Sequence, residues 1–181
     1  IYVMSEVQVY GKRLKVGDCV KAFLDDANQN ILLLLGHGGY GKTSFVARMA
    51  AKTGEYTDRP LHIFRLREFA DTDANELYKR IAEMAKLENN AVLVFDGLDE
   101  LCMVGGGNET EKSLDLLTQL MFFFDQSPSY KIIITSRPEY ISAEKALERL
   151  KKLKISAKHF VSYCYAAFSE RQRGDLVDSI E

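Results

Sequence analysis

Residues 36–43 read Gly-His-Gly-Gly-Tyr-Gly-Lys-Thr, a full GxxxxGK[ST] match, and no other stretch limits the possible folds so strongly. It directly follows the apolar run Ile31–Leu35 and precedes the helical run Ser44–Ala51, the strand–loop–helix setting such a loop requires. Glycines let the backbone turn inward, so that successive N–H groups face one anion. The helix entered at Lys42, Thr43 and Ser44 points the positive end of its dipole at the same place. On this chemistry Lys42 bridges β- and γ-phosphate oxygens, and the Thr43 hydroxyl ligates Mg²⁺. Gly36, Gly38, Gly39 and Gly41 shape the cradle. His37 and Tyr40 fill its variable positions as tolerated side chains, not as a metal ligand or a base.

Short apolar runs alternate with helical periods along the rest of the chain. Leu61–Leu66, Ala91–Phe95 and Tyr130–Thr135 read as further strands, and His159–Cys164 as a weaker one. Ile31–Leu35, Ala91–Phe95 and Tyr130–Thr135 are nearly continuous hydrophobics, the pattern of strands covered on both faces. Leu77, Ile81, Met84 and Ala85 share one helix face; Leu114, Leu117, Met121 and Phe124 share another. Asn108 with Glu111, and Ser169 with Gln172, have capping-box spacing. The alternation predicts an α/β fold, a mostly parallel five-stranded sheet with helices on both faces. Ahead of it, Val3, Val7 and Val9 suggest an extended segment, and Cys19–Ala27 a short helix. With 181 residues, 46% of them hydrophobic, one compact core is expected.

The run Ala91–Phe95 leads into Asp96-Gly-Leu-Asp-Glu100. A carboxylate ending a buried strand beside a phosphate loop can hold Mg²⁺ through water, which points to Asp96. Asp99 and Glu100 lie just beyond, where one of them orients the water attacking the γ-phosphate. The run Tyr130–Thr135 continues into Ser-Arg-Pro138, and Pro138 ends the strand because it cannot donate to a ladder. Arg137 either reaches the phosphate edge as a sensor of the γ-phosphate or is an exposed residue at a strand end.

Charge and composition exclude other classes. Lys and Arg number 24 against 26 Asp and Glu, a net charge of −2 that gives no global electrostatic case for nucleic acid. The longest apolar run, Ile31–Leu35, is far too short to span a membrane. Cys19, Cys102 and Cys164 are odd in number and widely spaced, against a disulfide framework or a zinc site and in keeping with a reducing cytoplasm. The basic stripe Arg149–Lys154 with Lys158 reads as a solvated helix face, and Met121–Phe124 as core.

Together the GxxxxGKT loop, the DGLDE motif and the TSRP strand end resemble the NACHT family of STAND-class P-loop NTPases. The most specific part is the order small residue, hydrophobic, acidic after Asp96. Ala167-Phe-Ser-Glu-Arg-Gln172 is similar to the Phe-Ser-Glu turn that opens that family's helical domain. The resemblance covers Asn30 to the C-terminus and implies a P-loop NTPase three-layer sandwich. It divides the chain into a lead-in (1–29), the nucleotide core (30–166) and the start of a truncated helical domain (167–181). It implies a switch, ADP-bound at rest and ATP-bound when active, cut from a larger innate-immune or antiviral protein with effector and sensor domains. Homo-oligomerisation on activation is implied as well. Carried over, Lys42 and Thr43 hold phosphate and Mg²⁺, Asp96 the metal and Arg137 the γ-phosphate. Asp99 is the preferred water-orienting base, with Glu100 close behind. The family's winged-helix histidine has no counterpart before Glu181.

The leading expectation is therefore a slowly hydrolysing, Mg²⁺-dependent ATPase module. A small-molecule or nucleoside kinase shares the loop but needs an acceptor pocket and usually an Arg-rich lid, neither of which the sequence offers. A nucleotide-bound scaffold without hydrolysis is a third reading, opposed by the intact Asp99–Glu100 pair. Adenine over guanine rests on the resemblance alone.

Overall fold

The run Ile31–Leu35 is buried at every position and forms an inner strand of a sheet. The computed structural model describes residues 5–9, 11–69, 79–80, 83, 90–102, 114–115, 117–118, 129–152 and 160–166. In chain order its elements are β1 (Glu6–Val9), β2 (Lys12–Lys15), α1 (Val16–Asp25), β3 (Ile31–Leu35), α2 (Lys42–Ala51), β4 (Leu61–Arg65), β5 (Val92–Asp96), α3 (Leu98–Cys102), β6 (Lys131–Ser136), α4 (Ala143–Lys152) and β7 (Phe160–Tyr165). The seven strands form one sheet in the order β2-β1-β7-β3-β6-β5-β4.

The strand count differs from the expectation. The five runs read as strands do pair in parallel, from β7 across to β4. To them is added an antiparallel hairpin, β1 with β2, docked antiparallel on β7, so the sheet is mixed and seven-stranded. Gly11, at φ 78°, supplies the left-handed residue of the tight connection between β1 and β2. Within the hairpin Val7 alone is buried, whereas all four residues of β2 are exposed. Without apolar alternation, β2 carries no strand signal in the sequence.

Alternate residues of β3 serve two cores. Ile31, Leu33 and Leu35 pack with Phe95, Leu98, Leu117, Ile134 and Ala146. Leu32 and Leu34 pack with Phe23 of α1 and with Phe45 and Met49 of α2. Helices α1 and α2 thus cover one face, and α3, α4 and the helical residue Leu117 cover the other. At roughly 2 kcal/mol per buried aliphatic side chain, β3 alone contributes on the order of 10 kcal/mol of burial. The register sets Leu35 beside Ser136 and Phe95 beside Ile134, so β3, β5 and β6 end along one edge of the sheet.

Leu114 and Leu117 are helical and buried as expected. Their partners Met121 and Phe124, the face of Leu77, Ile81, Met84 and Ala85, both capping boxes and the turn at Phe168 lie outside the described residues. On α4, Lys151 and Lys152 are exposed and Lys152 pairs with Glu148 at 2.9 Å, as a solvated face requires; Lys154 and Lys158 lie outside the described residues.

Lys131 opens β6 and is buried at 2% exposure. Its ammonium donates to the carbonyls of Phe23 (3.1 Å), Asp26 and Gln29, and it sits 5.0 Å from the Phe23 ring. Burial pushes its pKa below the ordinary lysine value. The last turn of α1 contains no basic residue, so Lys131 supplies from the sheet the cation and donors that this helix end lacks. Lys131→Met is expected to destabilise the fold by about 3 kcal/mol, because three carbonyls, one buried and two part-buried, lose their donor. Denaturant unfolding reads this directly, and an unchanged midpoint would refute it.

Candidate functional site

The loop after β3 is shaped by close approaches. The Gly36 N–H donates to the Ser136 carbonyl at 3.1 Å, and a Cβ on Gly36 would lie 3.0 Å from Cβ of Tyr165. Any larger residue would have to push Tyr165 back by a few tenths of an ångström. Gly39 and Gly41 take φ values of 80° and 86°, which bend the chain back toward the entry of α2. No side chain caps that helix, and its first turn holds no acidic residue. The amide donors of its first turn are thus left for an anion, which the helix dipole also favours.

Lys42 folds over the loop and donates to the Gly36 carbonyl and, at 3.2 Å, to the His37 carbonyl. Burial pushes its pKa below the ordinary lysine value, and the Asp99 carboxylate opposes that shift. His37 and Tyr40 face away from this business. The His37 Nδ1 meets the Glu139 carboxylate outside the loop. The Tyr40 carbonyl accepts from the Ser5 hydroxyl at 3.3 Å, and its ring packs beside the α1–α2 core.

The carboxylates arrive from β5 and the turn into α3. Asp96, 6% exposed, accepts a hydrogen bond from the Thr135 hydroxyl at 2.6 Å. Gly97 follows at φ 85°, where a Cβ would also come within 3.2 Å of the Glu100 carboxyl carbon. Asp99 is buried at 2% exposure, and its Oδ2 accepts from Arg137 Nε at 2.9 Å. Asp99 Oδ1 is also buried and has no hydrogen-bond partner among the described residues.

These groups line one cavity of about 230 Å³: Gly38, Gly39, Gly41, Lys42, Thr43, Ser44, Asp96, Asp99, Glu100 and Arg137. Of the residues expected at the site, Gly36, His37 and Tyr40 stay in the loop without lining the cavity. Two lining residues carried no assignment from sequence, Gly97 and Thr135. Thr135 did leave a signal, as a hydroxyl within the aliphatic run of β6. Among the described residues no cluster of three or more His, Cys, Asp or Glu could hold a metal alone. A Thr hydroxyl and one or two carboxylates suit a hard cation that takes its remaining ligands from phosphate and water, the habit of Mg²⁺. The unpartnered, buried Asp99 Oδ1 fits a site that awaits such polar company.

A phosphate loop between a buried parallel strand and a helix, facing a strand-end carboxylate, defines a P-loop NTPase. The chain belongs to the ATPase family associated with various cellular activities (AAA), whose sequence profile matches residues 32–158. That family carries nucleotide binding and ATPase activity in general. It is broader than the NACHT resemblance. No curated protein sequence matches the chain.

Among solved structures, Rif2 in complex with the C-terminal domain of Rap1 is similar at TM-score 0.54 and 13% identity, covering 90% of this chain and 56% of that one. Rif2 of Saccharomyces cerevisiae follows at TM-score 0.50 and 12% identity, with 90% and 59% covered. A DNA replication initiation factor matches at TM-score 0.53 and 15% identity, with 90% and 48% covered. At such identities the likeness concerns the fold. The chain spans about half the length of these structures.

Gly36→Ala is expected to lower stability by about 1–3 kcal/mol even without nucleotide, since Tyr165 must give way to the added methyl. A melting temperature equal to the wild type's would show that the close approach carries no energetic weight.

Proposed function

We propose that this AAA-type domain is the Mg²⁺-dependent, ATP-binding and slowly hydrolysing switch module of a NACHT-like STAND protein. The observation that carries the reading is the ion pair between Arg137 and Asp99 inside the phosphate cavity. It ties the residue suited to sense a γ-phosphate to the residue suited to activate water. Arg137 Nε pairs with Asp99 Oδ2 at 2.9 Å. An arriving γ-phosphate competes for the guanidinium and releases the Asp99 carboxylate to orient water, with Glu100 beside it on α3. A base held by an arginine that must first be drawn away favours slow turnover.

On this reading Lys42 and the first-turn amides of α2 bind β- and γ-phosphate oxygens. Thr43 and Asp96 hold Mg²⁺, which neutralises phosphate charge when bound. The finer subclass is supported by the Asp96-Gly-Leu-Asp-Glu100 spacing and the Arg at the end of the neighbouring strand. Its other parts follow from that resemblance: a core over 30–166 between a lead-in and a helical domain, partner domains in the same chain, oligomerisation on activation and a cytoplasmic signalling or immune-type role. Cys19 and Cys164, both free, suit that compartment.

Lys42→Ala is expected to weaken ATP binding by about 2–3 kcal/mol in calorimetry, the scale of lost charge-assisted contacts. Arg137→Ala is expected to weaken ATP while leaving ADP nearly unchanged. Equal losses for the two nucleotides would sink the γ-phosphate assignment.

A further inference from the structure

We infer that Thr135 is a positioning residue for the cation site: its hydroxyl fixes the Asp96 carboxylate and the turn into α3 in one arrangement. The inference rests on the reading of Asp96 as a Mg²⁺-holding residue. Thr135 is wholly buried in β6, at 0% exposure. Its Oγ1 donates to Asp96 Oδ1 at 2.6 Å and accepts from the Gly97 N–H at 2.9 Å. The direction of both bonds is forced. An amide only donates and an ionised carboxylate only accepts, so the single hydroxyl proton belongs to Asp96.

Two consequences follow. A carboxylate torsion is otherwise broad, but here Oδ1 is engaged by a charge-assisted bond of the strong kind. Asp96 therefore meets the cavity in a fixed orientation, with Oδ2 the oxygen left uncommitted among the described residues. The same hydroxyl pins the amide of Gly97, whose φ of 85° starts the turn into α3. Asp99 and Glu100 ride on that turn. One buried oxygen thus sets the spacing between the residue suited to the metal and the residues suited to the attacking water. Partners of this type, one step behind a metal ligand, typically carry 10–100-fold in metal affinity.

The test compares wild type, Thr135→Val, Thr135→Ala, Thr135→Ser and Asp96→Asn. Binding of a non-hydrolysable ATP analogue is titrated by calorimetry across Mg²⁺ concentrations and in EDTA. Thr135→Val is isosteric and keeps the strand filled, while Thr135→Ala removes the hydroxyl without adding bulk should the valine protein not fold. Each is expected to raise the half-saturating Mg²⁺ concentration about 10-fold or more, with affinity in EDTA unchanged. Thr135→Ser, which keeps the hydroxyl, is expected to stay close to wild type. An unchanged Mg²⁺ requirement in the valine or alanine protein overturns the inference. So does a loss in EDTA equal to that in Mg²⁺, or a serine protein as impaired as the valine one. Asp96→Asn separates the two levels: if it leaves the Mg²⁺ requirement intact, the cation site itself is misassigned. If it abolishes that requirement while Thr135→Val does not shift it, Thr135 alone is rejected.

Discussion

Everything that carries chemistry in this fold depends on the burial of β3. Its five residues are covered on both faces, and both of its edges are paired, with β6 on one side and β7 on the other. Its five side chains are all aliphatic, so the chemistry of this segment begins where the strand ends. Because β3, β5 and β6 run parallel, they release their following loops at one common edge. The phosphate loop, the Asp96 turn and the Arg137 turn meet there for that reason, although they lie far apart in sequence. The two departures tightest in space are glycines, Gly36 against Tyr165 and Gly97 against Glu100.

Both cations of the cavity have partners within the protein. Lys42 spends its donors on carbonyls of its own loop, and Arg137 spends its Nε on Asp99. For these two side chains phosphate binding is an exchange of partners, whereas the uncapped first-turn amides of α2 give up no side-chain cap. The net gain is correspondingly smaller than the sum of the new bonds. Asp99 is the sensitive member, since a buried carboxylate that loses its cation must find water or another cation at once.

The sequence was legible where the signal was local. Continuous aliphatic runs mark strands buried on both faces, and the glycine loop and the acidic turn follow them within a few residues. Boundaries moved by one residue at β5 and β6, because the ladder continues onto the functional residue itself: Asp96 still pairs with Arg65 across β4 and β5. Of the β1–β2 hairpin only the first strand was legible, through Val7 and Val9; in the second, Lys-Arg-Leu-Lys has no buried face to advertise. Nothing local marks Lys131, whose carbonyl partners come from the end of α1 and the turn after it, more than a hundred residues earlier. His37 likewise gave no hint of Glu139, which the fold alone brings to it. In the site, the residue types could be read from the motif. Which carboxylate oxygen was occupied, and by what, could not.

The contact between Tyr165 and Gly36 joins two distant moments of the chain. Tyr165 is the last residue of β7, and the next N–H, that of Ala166, donates to the Glu6 carbonyl at 2.8 Å. The backbone thus leaves the sheet through a bearing fixed on one side by the hairpin and on the other by the first glycine of the phosphate loop. The room a side chain at Gly36 would need is room that Tyr165 already fills. The first residue of the phosphate loop and the last residue of the sheet's seventh strand thus share one piece of space, and neither can grow without the other yielding.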